Sequence, residues 1–480
     1  MYPLNKCGEI RTVSSAEVCS SPLGIGFEKL DRGVFDPEPA YDKIAALGVK
    51  WVRVQSGWAR TEQQAGVYDF RWLDDIVDNL IRRGLEPWVC LCYGNGLYDE
   101  DAAQVFGAVG CPPIKTDEQK NAWHRYVAET VRHYQGRVTW FEVWNEPDGR
   151  WCWKHGPNGA EYGEFVKATA AAVREGNPDA KVIGGSFCLS DLGWLYDMFE
   201  TGCARDMDAL CYHAYLIDER FSLGQRFRTI RELARHYNPS MPLIQGEVGT
   251  QSRPDGAGAL KQGSWTPEKQ AKYAARHIVA HIASGAKIVS YFTSVDMIEA
   301  LNGRTGDKAS YMDFGYFGVL GADFDENGFA TGHYTPKSSY RTLQVLAALF
   351  RERTERIEIP LFFAPSLTYS PQMFRDEGNG SDLMTFGFRL AGGCRAWIYW
   401  NPTNILTSFC EETISVIVHA DRTKLKLADL KDGSVYELPD SMIEAQGKSA
   451  LFLKHLPLRD YPLMLIFDDF ESYLQHERKG

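Results

Sequence analysis

At 480 residues the chain exceeds one ordinary core, and its 44% apolar and 24% charged residues are those of a globular protein. A net charge of −11, with no run of Lys or Arg, argues against a nucleic-acid or anionic-membrane partner, since either needs a basic patch to meet phosphates. The first twenty residues hold no apolar stretch of signal-peptide length, and no uncharged run reaches a membrane span. A cytoplasmic protein is expected, or a secreted one whose signal was trimmed. The 11 cysteines, odd in number and without zinc-ribbon spacing, are expected to be reduced and mostly buried.

In chain order, residues 22–31 open with a short apolar strand, and 38–50 have helical spacing ending at Gly48. A strand over 50–58 and an amphipathic helix over 70–87, closed by Gly84, come next. The third strand covers 87–96, followed by a long helix over 116–136 with Thr116 as N-cap. Residues 138–144 alternate and are rich in β-branched and aromatic side chains, so they predict a strand running into Asn145-Glu146-Pro147. Proline cannot continue a ladder, which leaves Glu146 at the strand's C-terminal tip. A helix over about 160–176, a strand at 181–187, a helix near 190–200 and a strand at 208–215 follow. The helices at 227–238, 266–285 and 337–354 enclose strands at 242–249 and 287–294. Eight strand–helix alternations predict a (β/α)8 TIM barrel over residues 21–353. From 354 to 480, short strands separated by Gly, Pro, Asp and Asn turns predict an accessory antiparallel β-sandwich, with residues 1–20 as a candidate extra strand.

In such barrels the chemistry sits where strands end on the C-terminal face. The second strand ends with Arg53 and Gln55, the third with Tyr93 and Asn95, and the fourth with Asn145 and Glu146. The sixth gives His213 and Tyr215, the seventh Glu247, and the eighth Tyr291 and Phe292. Glu146 and Glu247 are far apart in sequence yet sit at strand ends facing one mouth, the arrangement that glycoside hydrolysis needs. An Asn-Glu pair flanked by tryptophans suits a sugar. The carboxylic acid can hand a proton to a glycosidic oxygen, and the amide can hydrogen-bond a ring hydroxyl. His213 and Tyr215 share a face by strand period, and two polar groups there need partners. Arg53 would be costly buried without a carboxylate, and Glu142, on Glu146's side of its strand, is expected to pair with it. Trp58, Trp151, Trp153 and Trp265 lie in strand-to-helix loops and serve equally as sugar platforms or as loop packing. Asp99, Asp101 and Asp148 are expected to be solvated loop carboxylates, with Glu28 and Asp296 as reserve acids. No His/Asp/Cys run has metal-ligand spacing and no phosphate loop occurs, so neither metal nor cofactor is expected.

The ordered motifs "WFEVWNEPD", "CYHAY" and "IQGEVG" resemble the glycoside hydrolases of clan A, whose acid/base glutamate follows asparagine on the fourth strand and whose nucleophile ends the seventh. Within that clan, "GVKWVRVQSGWARTEQQAGVYDF" and "LCYGNGLYD" are similar to family 39, particularly the bacterial branch that includes exopolysaccharide hydrolases. Gly96 stands where that branch tends to have proline. The resemblance covers about residues 21–350. It implies a retaining double displacement with Glu146 as acid/base and Glu247 as nucleophile, their carboxyls about 5–5.5 Å apart. Their mutual repulsion is expected to hold Glu146 protonated at rest. The resemblance further implies that Tyr215 orients Glu247, that Arg53 braces the nucleophile or Asn145, and that Asn145 holds the sugar's 2-hydroxyl. The expected partner is a carbohydrate: a β-linked oligosaccharide cleaved from its end, ahead of an exopolysaccharide cut internally or an α-L-arabinofuranoside. A non-catalytic carbohydrate-binding barrel is the alternative of another class, and it has no use for both glutamates. Loops at 94–115, 149–160, 250–266 and 294–336 are expected to choose the sugar.

Overall fold

A first strand, β1 (Asn5–Ile10), precedes eight parallel strands that close on themselves. They are β2 (Leu23–Gly26), β3 (Trp51–Gln55), β4 (Glu86–Leu91), β5 (Trp140–Val143), β6 (Lys181–Phe187), β7 (Ala209–His213), β8 (Leu243–Val248) and β9 (Ile288–Tyr291). Gly24 of β2 is paired with Trp51 of β3 on one side and Ser290 of β9 on the other, which completes the barrel. This computed structural model describes residues 4–103, 107–188, 191–221, 226–299, 313–364, 383–447 and 450–476. The expected (β/α)8 barrel is present.

Strands enclosed on both faces carry near-continuous apolar runs, and every residue of β7 and β8 is buried. Trp88, Ile183, Ala209, Cys211, Ile244 and Ile288 pack together inside the barrel. The surrounding helices begin where the sequence places caps. Thr116 accepts from the Gln119 amide ahead of Asp117–His133, and Thr266 from the Lys269 amide ahead of Pro267–Ala283. The helix expected over 38–50 is shorter, a 3-10 turn at Glu38–Ala40 leading into Tyr41–Ala45, because Pro37 and Pro39 restrict its start. No helix among the described residues is long and apolar enough to cross a membrane.

The C-terminal strands form one eight-stranded and one four-stranded antiparallel sheet. β1 joins the larger sheet, between Ser434–Glu437 and Leu474–His476. Trp397, Tyr399, Val416, Leu453 and Leu465 belong to a second core, drawn from both sheets. A buried ionic junction ties this region to the barrel. Arg276 grips Glu219 at 2.9 and 2.7 Å and donates to the Thr403 carbonyl at 2.8 Å, while the Trp400 indole donates to Glu219 at 2.7 Å. Of the segments read from the sequence, residues 300–312 of the 294–336 loop and residues 365–382 of the sandwich lie outside the described residues.

Candidate active site

β5 ends abruptly. Trp144 (φ 64°) and Glu146 (φ 44°) both adopt the left-handed conformation, on either side of Asn145. Each such residue costs on the order of 1 kcal/mol, so the surroundings must enforce it. They do. The buried Trp144 indole donates to the Cys152 carbonyl at 2.8 Å and packs edge-on against Tyr93 and Trp123. The Glu146 amide donates to the Ser186 carbonyl at 3.0 Å, and Pro147 blocks any return to the ladder. On the far side of the mouth the register between β7 and β8 shifts after Tyr212, so that His213 pairs with Glu247. Gly246 permits this approach, since a Cβ there would collide with Cys211 Sγ.

The mouth is a cavity of about 410 Å³ whose walls include Glu28, Lys29, Arg32, Gln55, Tyr93, Asn145, Glu146, Trp151, Cys188, Tyr215, Glu247, Phe292 and Glu299. Beneath it lies Arg53, wholly buried. Its guanidinium holds Glu142 at 2.7 and 3.0 Å, donates to Asn145 Oδ1 at 2.8 Å and to Glu247, and reaches Glu28 at 3.4 Å. Burial alone would lower the Arg53 pKa, but the carboxylates outweigh it and raise that pKa well above its ordinary value. Burial alone would likewise raise the Glu142 carboxyl; Arg53 pulls it below the usual carboxylate value. Glu142 is completed by the Trp88 indole at 2.9 Å and the Ser186 hydroxyl. Glu28, with no such set of donors, is pushed up to about 7 by burial, opposed by Arg53 and assisted by Glu247.

One imidazole spans the two glutamates. His213 Nδ1 lies 2.9 Å from Glu146 Oε1 and 3.7 Å from Glu247 Oε2, so these oxygens are no further apart than the two distances laid end to end. The Tyr215 hydroxyl donates to the same Glu247 oxygen at 2.6 Å. Glu146 also receives the Trp151 indole N–H and the Cys188 thiol. The expectation that repulsion keeps Glu146 protonated is not met. Burial would raise this carboxyl, but donation from His213, with Cys188 and Trp151, brings it down to about 2. His213, despite burial, is raised well above its ordinary value, first by Glu247. Both shifts favour an ionised Glu146 facing a protonated imidazole.

Other expected residues fall elsewhere. Trp58 is a correction: left-handed Gly57 turns it inward at the start of a short helix, where it is buried, stacks on Tyr98 and Tyr126, and bonds Glu62. Asn95 is another, since its side chain shapes a turn by donating to the Glu62 carbonyl at 2.8 Å and accepting from the Leu97 amide. Trp153 and Trp265 are buried with their indoles bonded to Glu161 and the Leu260 carbonyl. Trp151, by contrast, is 47% exposed at the cavity wall. Tyr93 lines the cavity and its hydroxyl accepts from Gln55 at 2.9 Å; Phe292 lines it too, edge-on to Phe317. Asp99 and Asp101 share Lys115, Asp296 pairs with Lys337 at 2.7 Å, and Asp148 is not a free loop carboxylate, as it accepts the Cys188 amide at 3.0 Å. The sequence reading passed over Lys29, Arg32, Glu299, Trp88, Ser186 and Cys188. The strand-end rule, applied to the first and fifth strands as well, would have reached Lys29, Ser186 and Cys188. Among the described residues two groups could hold a cation, Glu142–Cys211–His213 and Glu146–Cys188–His213, each with donor atoms within 4.8 Å of one another.

The fold and site together define a (β/α)8-barrel protein with a paired-glutamate centre at the barrel mouth. A family model, that of the glycosyl hydrolases family 39, matches residues 44–358. The chain belongs to that family. It is 24% identical over 313 residues to a beta-xylosidase of Geobacillus stearothermophilus, which covers 59% of this chain and 56% of that one. It is 24% identical over 344 residues to a beta-xylosidase of Caldicellulosiruptor saccharolyticus, covering 64% of each. The chain thus spans less than two thirds of the length of these curated relatives. A family 39 glycoside hydrolase from the gut symbiont Bacteroides cellulosilyticus WH2 shares the fold with a TM-score of 0.64 at 16% identity, over 96% of this chain and 83% of that one.

Proposed function

We propose that the chain is a retaining glycoside hydrolase that releases a terminal β-linked sugar, xylose first among the candidates. The observation that carries this reading is His213 Nδ1 poised between Glu146 and Glu247. A binding protein needs neither a stored proton nor a second carboxylate held ready beside it. Glu247, oriented by Tyr215 and Arg53, attacks the anomeric carbon as the glycosidic bond breaks. Glu146 passes the proton held with His213 to the departing oxygen, leaving the imidazole neutral. In the second half Glu146 accepts a proton from water, the water oxygen bonds to the anomeric carbon, and Glu247 departs as carboxylate. The proton returns to His213. Arg53 takes the oxygen of Asn145 and Cys152 Sγ accepts from its amide nitrogen at 3.5 Å, which leaves a second N–H as donor for the sugar's 2-hydroxyl.

Support for xylose comes from the names of the two relatives. Support for end-on cleavage comes from the cavity, whose volume of about 410 Å³ lies near the lower end of the range for ligand pockets, about 300–1,000 Å³. The test is nitrophenol release from the aryl β-xyloside, β-glucoside, β-galactoside and α-L-arabinofuranoside, with Glu247→Gln run alongside. The expected result is release from the β-xyloside and loss of nearly all rate in the variant. Cleavage of polysaccharide alone would replace end-on by internal cutting, and a variant with wild-type rate would remove Glu247 from its role.

A further inference from the structure

Hydrolysis needs an acid at Glu146 but no thiol, yet Cys188 Sγ lies against that carboxylate. One Glu146 oxygen, Cys188 Sγ and a ring nitrogen of His213 lie within 4.8 Å of one another. We propose that this trio is a binding site for a borderline-soft divalent cation, with Zn²⁺ as the probe, and that its occupancy switches hydrolysis off. The switching half rests on the function proposed for Glu146; the binding half does not.

Zn²⁺ takes sulfur at about 2.3 Å and nitrogen or carboxylate oxygen at about 2.0–2.2 Å, so donors of a tetrahedral site lie roughly 3.3–3.8 Å apart. Side-chain movements of about an ångström bring this trio to that spacing. Imidazole, thiolate and carboxylate together are a donor set that selects zinc or copper over magnesium or calcium. The fourth position faces the cavity, where a water or a sugar hydroxyl completes the tetrahedron. Glu146 and Cys188 both line that cavity, so the cation has a path in. His213 is already aimed, because Nδ1 points at Glu146 while Nε2 is turned toward Cys211. The neighbouring trio, Glu142–Cys211–His213, is less suited. It is wholly buried, and both Glu142 oxygens are engaged by Arg53, Trp88 and Ser186.

Coordination removes two protons, the thiol proton of Cys188 and the one held between His213 and Glu146, and both leave to solvent. The bound cation then occupies the very oxygen that must protonate the leaving group. No oxidant or reductant takes part.

The experiment uses the full chain, stripped with a chelator and titrated calorimetrically with Zn²⁺. One equivalent is expected to bind to wild type, and Cys188→Ser to lose that binding. Cys19→Ser, which removes an exposed thiol, is expected to keep it. Co²⁺ in place of Zn²⁺ is expected to give a near-ultraviolet sulfur-to-cobalt charge-transfer band that is absent in Cys188→Ser and in a second variant, Cys188→Ala. Circular dichroism establishes that each variant is folded. Activity on the glycoside that wild type cleaves is expected to fall at least tenfold with one equivalent of Zn²⁺ and to return with EDTA. In each Cys188 variant, the ratio of rates with and without Zn²⁺ is expected to stay near one. Unchanged Zn²⁺ affinity in a folded Cys188 variant, or a cobalt complex without the band, overturns the site. Binding with no loss of rate overturns the switch. If no glycoside is cleaved at all, the proposed hydrolysis fails while calorimetry and the cobalt spectrum still decide the site.

Discussion

Replacing Arg53 by methionine removes a cation that ties together the carboxylates of the barrel floor. The side chain is wholly buried and bonds Glu142 twice, Glu247 once and Asn145 once, with Glu28 at 3.4 Å. Breaking a buried pair by deleting one partner costs about 3–5 kcal/mol, because the remaining charge has neither water nor a counterion. At 1.36 kcal/mol per factor of ten, that is two to nearly four powers of ten in the folding equilibrium. The loss depends on pH in a definite direction. In wild type the Glu142 carboxyl is held below 4.5 by Arg53 against its burial, so its stabilisation is present above about 4.5 and is lost as pH falls through the folded value. In the variant, burial is still opposed by His213 and Ser186 but no longer by Arg53, and it raises the same carboxyl. Glu142 then destabilises the fold above about 4.5 and is harmless when protonated below it. The gap between the two proteins is therefore widest near pH 8 and narrows toward pH 4.5. Urea unfolding of both proteins at pH 8, 6 and 4.5, followed by tryptophan fluorescence and far-ultraviolet circular dichroism, measures it. A gap below 1 kcal/mol at pH 8, or one of equal size at pH 4.5, refutes the reasoning.

Three further outcomes are expected. Tyr215→Phe removes a 2.6 Å hydrogen bond to Glu247 that is worth about 1.5–3 kcal/mol to a charged acceptor, so kcat should drop roughly 10- to 150-fold with KM little changed. An unchanged kcat would show that the phenol does not orient the nucleophile. His213→Asn takes away the group that stores the proton. The alkaline limb of kcat/KM should then move to lower pH by about one unit or more, because Glu146 must hold the proton alone; a superimposable profile would place the acid elsewhere. Glu28→Gln tests the opposite kind of carboxyl. Its folded value of about 7 against an ordinary 4.5 means that the fold keeps a proton the unfolded chain releases, so wild type loses stability as pH rises across that window, by at most about 3 kcal/mol. The variant should thus gain over wild type at pH 8 and not at pH 4.5, as read from urea midpoints; equal midpoints at pH 8 would mean Glu28 is ionised without penalty.

The barrel was readable because each strand is a short apolar run punctuated by glycine, proline or a capping residue, and each helix has its own period. Glu146 and Glu247 were readable because strand ends in a barrel converge, so position along the sequence stands in for position in space. Contacts set by backbone geometry were not. Trp58 reads as a loop tryptophan, and only the left-handed turn at Gly57 sends it into the core. Asn95 sits at a strand end like Asn145, yet the chain beyond it curls back so that its amide closes a turn. Cys188 reads as one more buried thiol, and the Glu146–Cys188–His213 cluster joins three different strand ends, where no ligand spacing exists along the chain. The charge balance at Glu146 is not legible in the sequence for a related reason. Two carboxylates read from sequence repel, but the structure inserts an imidazole that reverses the balance.

The most direct test of double displacement through Glu247 is to trap the intermediate. Wild type is inactivated with a 2-deoxy-2-fluoro-β-xyloside carrying a good leaving group, digested and mapped by mass spectrometry, while proton NMR follows the anomeric configuration of the first product from a reactive xyloside. The expected result is one fluorosugar esterified to Glu247 and a product that keeps the β configuration. A label on any other residue, or a product that first appears inverted, would contradict it.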